Sequence, residues 1–246
     1  MKKDFEIRIT PTCVPQSVTD IRENILKIAG FAQGIHLDID DGVFTTEVSW
    51  PFTEHSKKGS EKQGSVGEIT THDTAIVKTG DNFLLQVHLM VSDGRDIGEN
   101  FIQAGARSVI MHVESAITPL AAFTDTLGAW SMLGVEEIGI AILLDTPLEK
   151  LNPLLPYCDF IHMLSVATIG SQGAAFDPRA LERVKDAKKR FPSHPISVDG
   201  GVSLDNIASL VAAGATRFSV GSAIAKAADP AQAYNALKAA AQRALI

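Results

Sequence analysis

The chain has 246 residues, 45% hydrophobic and 21% charged, which is enough apolar material to bury a large core and excludes a disordered chain. A formal net charge of −7 argues against a general nucleic-acid surface, which carries a basic stripe, so an anionic ligand would have to be held by local features. With only Cys13 and Cys158 there is no disulfide framework, and since no stretch approaches about 18 uninterrupted apolar residues, a soluble, unexported, cytoplasmic protein is expected.

In chain order, FEIRIT reads as a first strand and VTDIRENILKIAGFA as an amphipathic helix. GIHLDI is the second strand, and it ends in a run of carboxylates. The stretch from Thr53 to Asp81, with EHSKKGSEKQGSVGE at its centre, is polar and rich in Gly and Ser, and reads as a long loop inserted after that strand. FLLQVHLMV, RSVIMHV, EIGIAIL, DFIHMLSV, PISVDGG and TRFSVGS supply six more strands. Between most of them lie helical patterns, such as DIGENFIQAGA, DPRALERVKDAKKRF and LDNIASLVAAGA, and PAQAYNALKAAAQRAL closes the chain. Gly105-Ala106 and Gly214-Ala215 read as helix C-caps that lead straight into a strand. Alternating strands and helices imply parallel strands joined by right-handed crossovers, and eight such units in this length predict one (β/α)8 barrel domain over 1–246. On such a barrel the inserted loop would lie at the mouth, where it could act as a lid or be a solvated loop without catalytic part.

Residues two apart on a strand share a face, so His36, Asp38 and Asp40 point the same way, into the barrel. Buried carboxylates so close together are costly unless something neutralises them. With His88 near the end of the third strand and Asp199 at the end of the seventh, they make a four-ligand set for one divalent metal: His36, Asp38, His88 and Asp199. Zinc suits it, and iron, manganese or cobalt are alternatives. Taken singly, each residue is as well explained by a hydrogen-bonded strand end. Four at strand C-termini of one barrel are a more specific pattern. The glycines of VDGG and VGSA expose the backbone N–H groups of Gly200, Gly201, Gly221 and Ser222 after the seventh and eighth strands, the common phosphate site of such barrels.

HLDIDDGVF, VHLMV, His112-Val113-Glu114, Thr146-Pro147, VDGG and AGATRFSVGSAI, in this order, resemble the ribulose-phosphate 3-epimerase family from about residue 7 to 240. The resemblance implies a phosphate-binding barrel, a bound divalent metal on the same four residues, and proton transfer at the carbon beside a ketose carbonyl. It assigns the acid/base pair to Asp38 and Asp199. It places Met90, Gly200, Gly201, Gly221 and Ser222 against the substrate, and in the loop after the sixth strand Gly170 and Gly173 are candidate substrate-binding residues because glycine lets the backbone approach a phosphate. D-ribulose 5-phosphate and D-xylulose 5-phosphate are the implied pair, in a small-molecule enzyme without nucleic-acid or membrane partners that could form a homo-oligomer.

The chain departs from the family pattern in several places. Asp40 stands at a family methionine, Leu164 at another, and Gln86 at an aspartate. Residues 167–176 replace an Asn-Pro-Gly-Phe-Gly-Gly-Gln loop. These changes keep open a hexulose-phosphate 3-epimerase of the allulose 6-phosphate type, and also a non-catalytic sugar-phosphate-binding barrel.

Overall fold

A computed structural model describes residues 6–53, 83–169 and 173–245. Most of the inserted loop, residues 54–82, and the substrate-binding candidate Gly170 lie outside the described residues.

The chain forms a closed barrel of eight parallel strands in sequence order. They are β1 (Arg8–Cys13), β2 (Gly34–Asp40), β3 (Leu84–Met90), β4 (Ser108–His112), β5 (Glu137–Ile142), β6 (Phe160–Leu164), β7 (Ile196–Asp199) and β8 (Ala215–Val220). Around them run α1 (Val18–Ile28), α2 (Arg95–Gln103), α3 (Leu120–Met132), α4 (Arg179–Arg190), α5 (Ile207–Ala213), a one-turn α6 (Ser222–Ala225) and α7 (Pro230–Ala244). The predicted alternation is interrupted after β5, where two short 3-10 turns, Leu148–Leu151 and Leu155–Tyr157, replace a helix. Pro147, Pro153 and Pro156 crowd that crossover and remove the backbone donors an α-helix there would need.

The helices start and stop where their sequence dictates. The Ser17 hydroxyl accepts the Asp20 N–H at 3.1 Å to cap α1, which buries Ile21, Ile25 and Ile28 on one stripe. Asp229 caps α7 in the same way, with Pro230 in the first turn. Gly105 and Gly214 follow α2 and α5 with φ of 102° and 113°, the left-handed conformation expected of them.

The strands sort their side chains strictly by parity. On β2, Ile35, Leu37 and Ile39 face outward into the main apolar core under the helices, while His36, Asp38 and Asp40 are buried on the other face. That other face is the barrel interior. His36 and His162 stack at 5.4 Å although β2 and β6 are not neighbouring strands, so only the interior can bring them together. A separate small apolar cluster of Ile110, Ala141, Phe160 and Leu164 fills one side of this interior. Apart from Met90 at the mouth, much of the rest is polar, and it includes His36, Asp38, Gln86, His88, Ser108, His112, His162, Ser197 and Ser219.

Candidate active site

His36, Asp38, His88 and Asp199 converge at the upper end of the barrel, as the parity of their strands requires. His36 Nε2 and His88 Nδ1 approach the same oxygen, Asp38 Oδ1, at 3.1 and 3.0 Å. They face Asp199 Oδ2 at 3.9 and 3.6 Å. Both imidazoles are completely buried.

The outer nitrogen of each ring is tied down. The amide oxygen of Gln86 lies 2.7 Å from His36 Nδ1, while its Nε2 donates to Ser108 Oγ at 3.0 Å. With that oxygen as acceptor, the proton of a neutral His36 sits on Nδ1 and Nε2 presents a lone pair to Asp38. Gln86, the departure that could have loosened the site, therefore still orients the ring. Two lone-pair atoms facing one carboxylate oxygen at about 3 Å repel unless a positive charge lies among them. This donor set fits a divalent cation, and its nitrogen and carboxylate composition suits zinc or a neighbouring first-row metal.

The titration behaviour of the group follows from the same crowding. Burial alone would lower the pKa of His36, but the charge of Asp38 and its hydrogen bond lift it to about 9, so without a cation this ring carries the compensating proton. Metal binding would replace that proton. Burial pushes His88 down to about 3, helped by the neighbouring His162 and His112 and opposed by Asp38. The carboxylates diverge. Burial acts to raise Asp38, but His36 and His88 hold it well below the usual carboxylate range. Burial and the charge of Asp38 push Asp199 up to about 6, against the pull of His36 and His88. Two carboxyl groups with opposed protonation tendencies are what acid/base exchange needs, and the coupled site titrates as one unit.

Above this centre, Asp38, Asp199 and Met90 line a mouth cavity together with Gly173, Gly200, Gly201, Gly221 and Ser222. Gly221 precedes the first turn of α6. Gly200 and Gly201 have φ of 107° and 64°, and a Cβ on them would meet Val166 Cγ1 and the Phe176 backbone N at 2.5 Å each. These two glycines are required by the turn and by the β6 loop lying against it, whatever ligand is present. Ser165 strengthens that junction by donating to the Asp199 carbonyl at 2.8 Å. Lys226, just beyond α6, brings its ammonium to 3.8 Å from where a Cβ on Gly173 would lie.

Asp40 is placed differently from what its position suggested. It does not line the mouth, is fully buried, and accepts the Thr45 hydroxyl on Oδ1 at 2.8 Å, while its Oδ2 has no hydrogen-bond partner among the described residues. Among the described residues, two further histidines enter the interior that the sequence reading gave no role in the site: His162 of β6, and His112 of β4 from the His112-Val113-Glu114 motif. His162 Nε2 lies 3.4 Å from Asp199 Oδ2, and His112 Nε2 lies 2.9 Å from His88 Nε2. The available signal was their inward parity within apolar strands.

Fold and centre together define a (β/α)8-barrel enzyme with a metal-competent histidine–carboxylate site at its C-terminal mouth. The chain belongs to the ribulose-phosphate 3 epimerase family, whose model matches residues 66–225, and it is an enzyme of the isomerase class. It is 31% identical over 156 residues to the cytoplasmic isoform of ribulose-phosphate 3-epimerase from Oryza sativa subsp. japonica, covering 63% of this chain and 67% of that one. Ribulose-phosphate 3-epimerase of Aquifex aeolicus is 29% identical over 206 residues, 82% of each chain. That of Synechocystis is 28% identical over 233 residues, 92% of this chain and 91% of its own. Among solved structures, 3-hexulose-6-phosphate synthase from Salmonella typhimurium superposes with a TM-score of 0.69 at 17% identity, over 97% of this chain and 100% of that one, a likeness of fold alone. No helix among the described residues is long and apolar enough to cross a membrane.

Proposed function

We propose that this chain, acting as one barrel domain in the cytoplasm, inverts C3 of a phosphorylated ketose. D-ribulose 5-phosphate and D-xylulose 5-phosphate are the pair. The observation that carries this reading is the pairing of Asp38 and Asp199 across His36 and His88 with opposed protonation tendencies. The names of the family relatives supply the substrate.

His36, Asp38, His88 and Asp199 would hold one divalent metal. When bound, it supplies positive charge that stabilises the enediolate left after a proton is removed beside the ketone. The chain's own residues do the rest. An ionised Asp38 removes the C3 proton from one face of the sugar, and a protonated Asp199 returns one to the other, which inverts the centre. In the reverse direction their roles exchange. Met90 and Leu164 border the site with apolar surface that keeps water from the carbanionic carbon. The backbone N–H groups of Gly200, Gly201, Gly221 and Ser222 receive the phosphate, with Gly173 on the facing loop.

The changed loop at 167–176 keeps a hexulose 6-phosphate as the second reading. A coupled assay of metal-supplemented protein on five- and six-carbon ketose phosphates separates the two. Faster turnover of ribulose 5-phosphate is expected; preference for the hexulose phosphate would transfer the assignment, and binding without turnover of either would leave a sugar-phosphate-binding barrel.

A further inference from the structure

The donor set at the barrel mouth is larger than two histidines and two aspartates. His162, from β6, is fully buried and directs Nε2 into the same space. The inward donor atoms of His36, His88, His162 and Asp199 all lie within 4.8 Å of one another. The rings of His36 and His88 are 5.4 and 4.8 Å from that of His162, centroid to centroid. Four donors bound at 2.0–2.1 Å around one ion stand about 3.3 Å apart in a tetrahedron. The spacings around Asp199 Oδ2 are 3.4 Å to His162, 3.6 Å to His88 and 3.9 Å to His36.

The far side of the ring repeats the arrangement seen at His36. His162 Nδ1 lies 3.0 Å from Ser197 Oγ, a contact within the barrel that fixes the ring and leaves Nε2 pointing inward. A ligand histidine is characteristically held in this way through its other nitrogen. A ring that served only to hydrogen-bond Asp199 would be expected nearer 2.9 Å than 3.4 Å.

We propose that His162 is a third imidazole ligand of the metal centre, added to His36, His88, Asp38 and Asp199. The inference rests on the reading that these four residues hold a divalent metal. Three nitrogen donors shift the preference of the site toward zinc and cobalt and away from magnesium and manganese.

X-ray absorption on the zinc-loaded wild-type protein counts coordinated imidazoles without any variant, and three are expected. His162→Gln and His162→Leu proteins, checked for native circular dichroism, should lose more than about 100-fold in zinc affinity by competition with a chromophoric chelator. That exceeds the 10–100-fold cost of losing an outer hydrogen-bond partner. The visible spectrum of their cobalt forms should also change. Two imidazoles in the wild type, or an affinity loss below 100-fold with an unchanged cobalt spectrum, would overturn the proposal and leave His162 as a positioning residue for Asp199. Failure of the metal reading looks different: a wild-type protein that binds no metal, or a His36→Ala/His88→Ala variant that binds as well as wild type, removes the whole centre.

Discussion

His88 and His112 meet nitrogen to nitrogen, Nε2 to Nε2 at 2.9 Å, with their rings stacked at 5.0 Å. At that separation one nitrogen donates and the other accepts. His112 Nδ1 lies 3.2 Å from Glu114 Oε2, and Glu114 is held below the usual glutamate range: burial opposes this, and His112 and the Leu143 N–H favour it. An ionised carboxylate can only accept, so His112 carries its proton on Nδ1 and its Nε2 accepts from His88. The remaining nitrogen of His88, Nδ1, is therefore bare toward Asp38 and Asp199. The chain Glu114–His112–His88 sets the tautomer of His88, a proposed metal ligand, from two residues away.

Glu114→Gln should consequently lower metal affinity by about 10–100-fold, the usual cost of losing an outer partner of a ligand histidine. The fold should persist, because Gln can still accept the Leu143 N–H. Competition titration with a chelator measures the effect, and affinity equal to wild type would show that the relay does not set His88.

Asp38→Asn and Asp199→Asn should each reduce turnover by about 10²–10⁴-fold, the range expected for lost acid/base catalysis. Solvent deuterium is the sharper measurement. With two carboxyl groups acting on opposite faces, product formed in D2O should carry deuterium at C3. Epimerisation in both directions without any solvent exchange would contradict the two-aspartate mechanism.

The barrel and the meeting of His36, Asp38, His88 and Asp199 were readable because both follow from strand parity. On a strand whose outward residues are Ile35, Leu37 and Ile39, the residues between them have only the interior to occupy. The 3-10 crossover after β5 was less readable, since Leu148, Leu151 and Leu154 repeat at helical intervals while the prolines among them deny the helix its donors. His162 was hidden for a different reason. It stands inside FIHML with no carboxylate or glycine near it in sequence, and its partners, Ser197 and Asp199, belong to another strand. Asp40 has the right parity for the pocket, but its carboxyl is bound by the Thr45 hydroxyl of the following loop and does not line the mouth, a contact no periodicity reports.

Asp40 should leave a signature in the pH dependence of stability. Burial, reinforced by Asp38 and Glu47 and opposed by the Thr45 hydrogen bond, raises its pKa from 3.8 to about 7. Between those values the folded state holds a proton that the unfolded state has lost, so stability falls as pH rises from about 4 to about 7 and is flat with respect to this group outside that window. Asp40→Asn keeps the acceptor for Thr45 and cannot ionise. Urea unfolding at pH 4.5 and pH 8 should show the variant gaining on wild type by about 1–3 kcal/mol between the two. A difference that does not change with pH would mean Asp40 is ionised in the fold.

The proposed phosphate end of the site has a cation that the glycine pattern alone did not announce. Lys226 follows α6 directly, and its ammonium and Ser222 both stand beside the Gly173 turn. An ammonium on a flexible stem contributes charge to phosphate binding but no fixed geometry, so it should affect binding of the anion and leave the chemistry at C3 untouched. Lys226→Ala should raise KM for the phosphorylated ketose by about 3–10-fold with kcat nearly unchanged, and added salt should weaken the wild type more than the variant. Gly201 cannot serve for this test, because a side chain there would strike the Phe176 backbone and disturb the loop whether or not phosphate binds. The unphosphorylated ketose is the better control: it should be turned over far less efficiently than its phosphate ester, and Lys226→Ala should make no difference to it. Equal kcat/KM for sugar and sugar phosphate would remove the anion site and leave an epimerase of free ketoses.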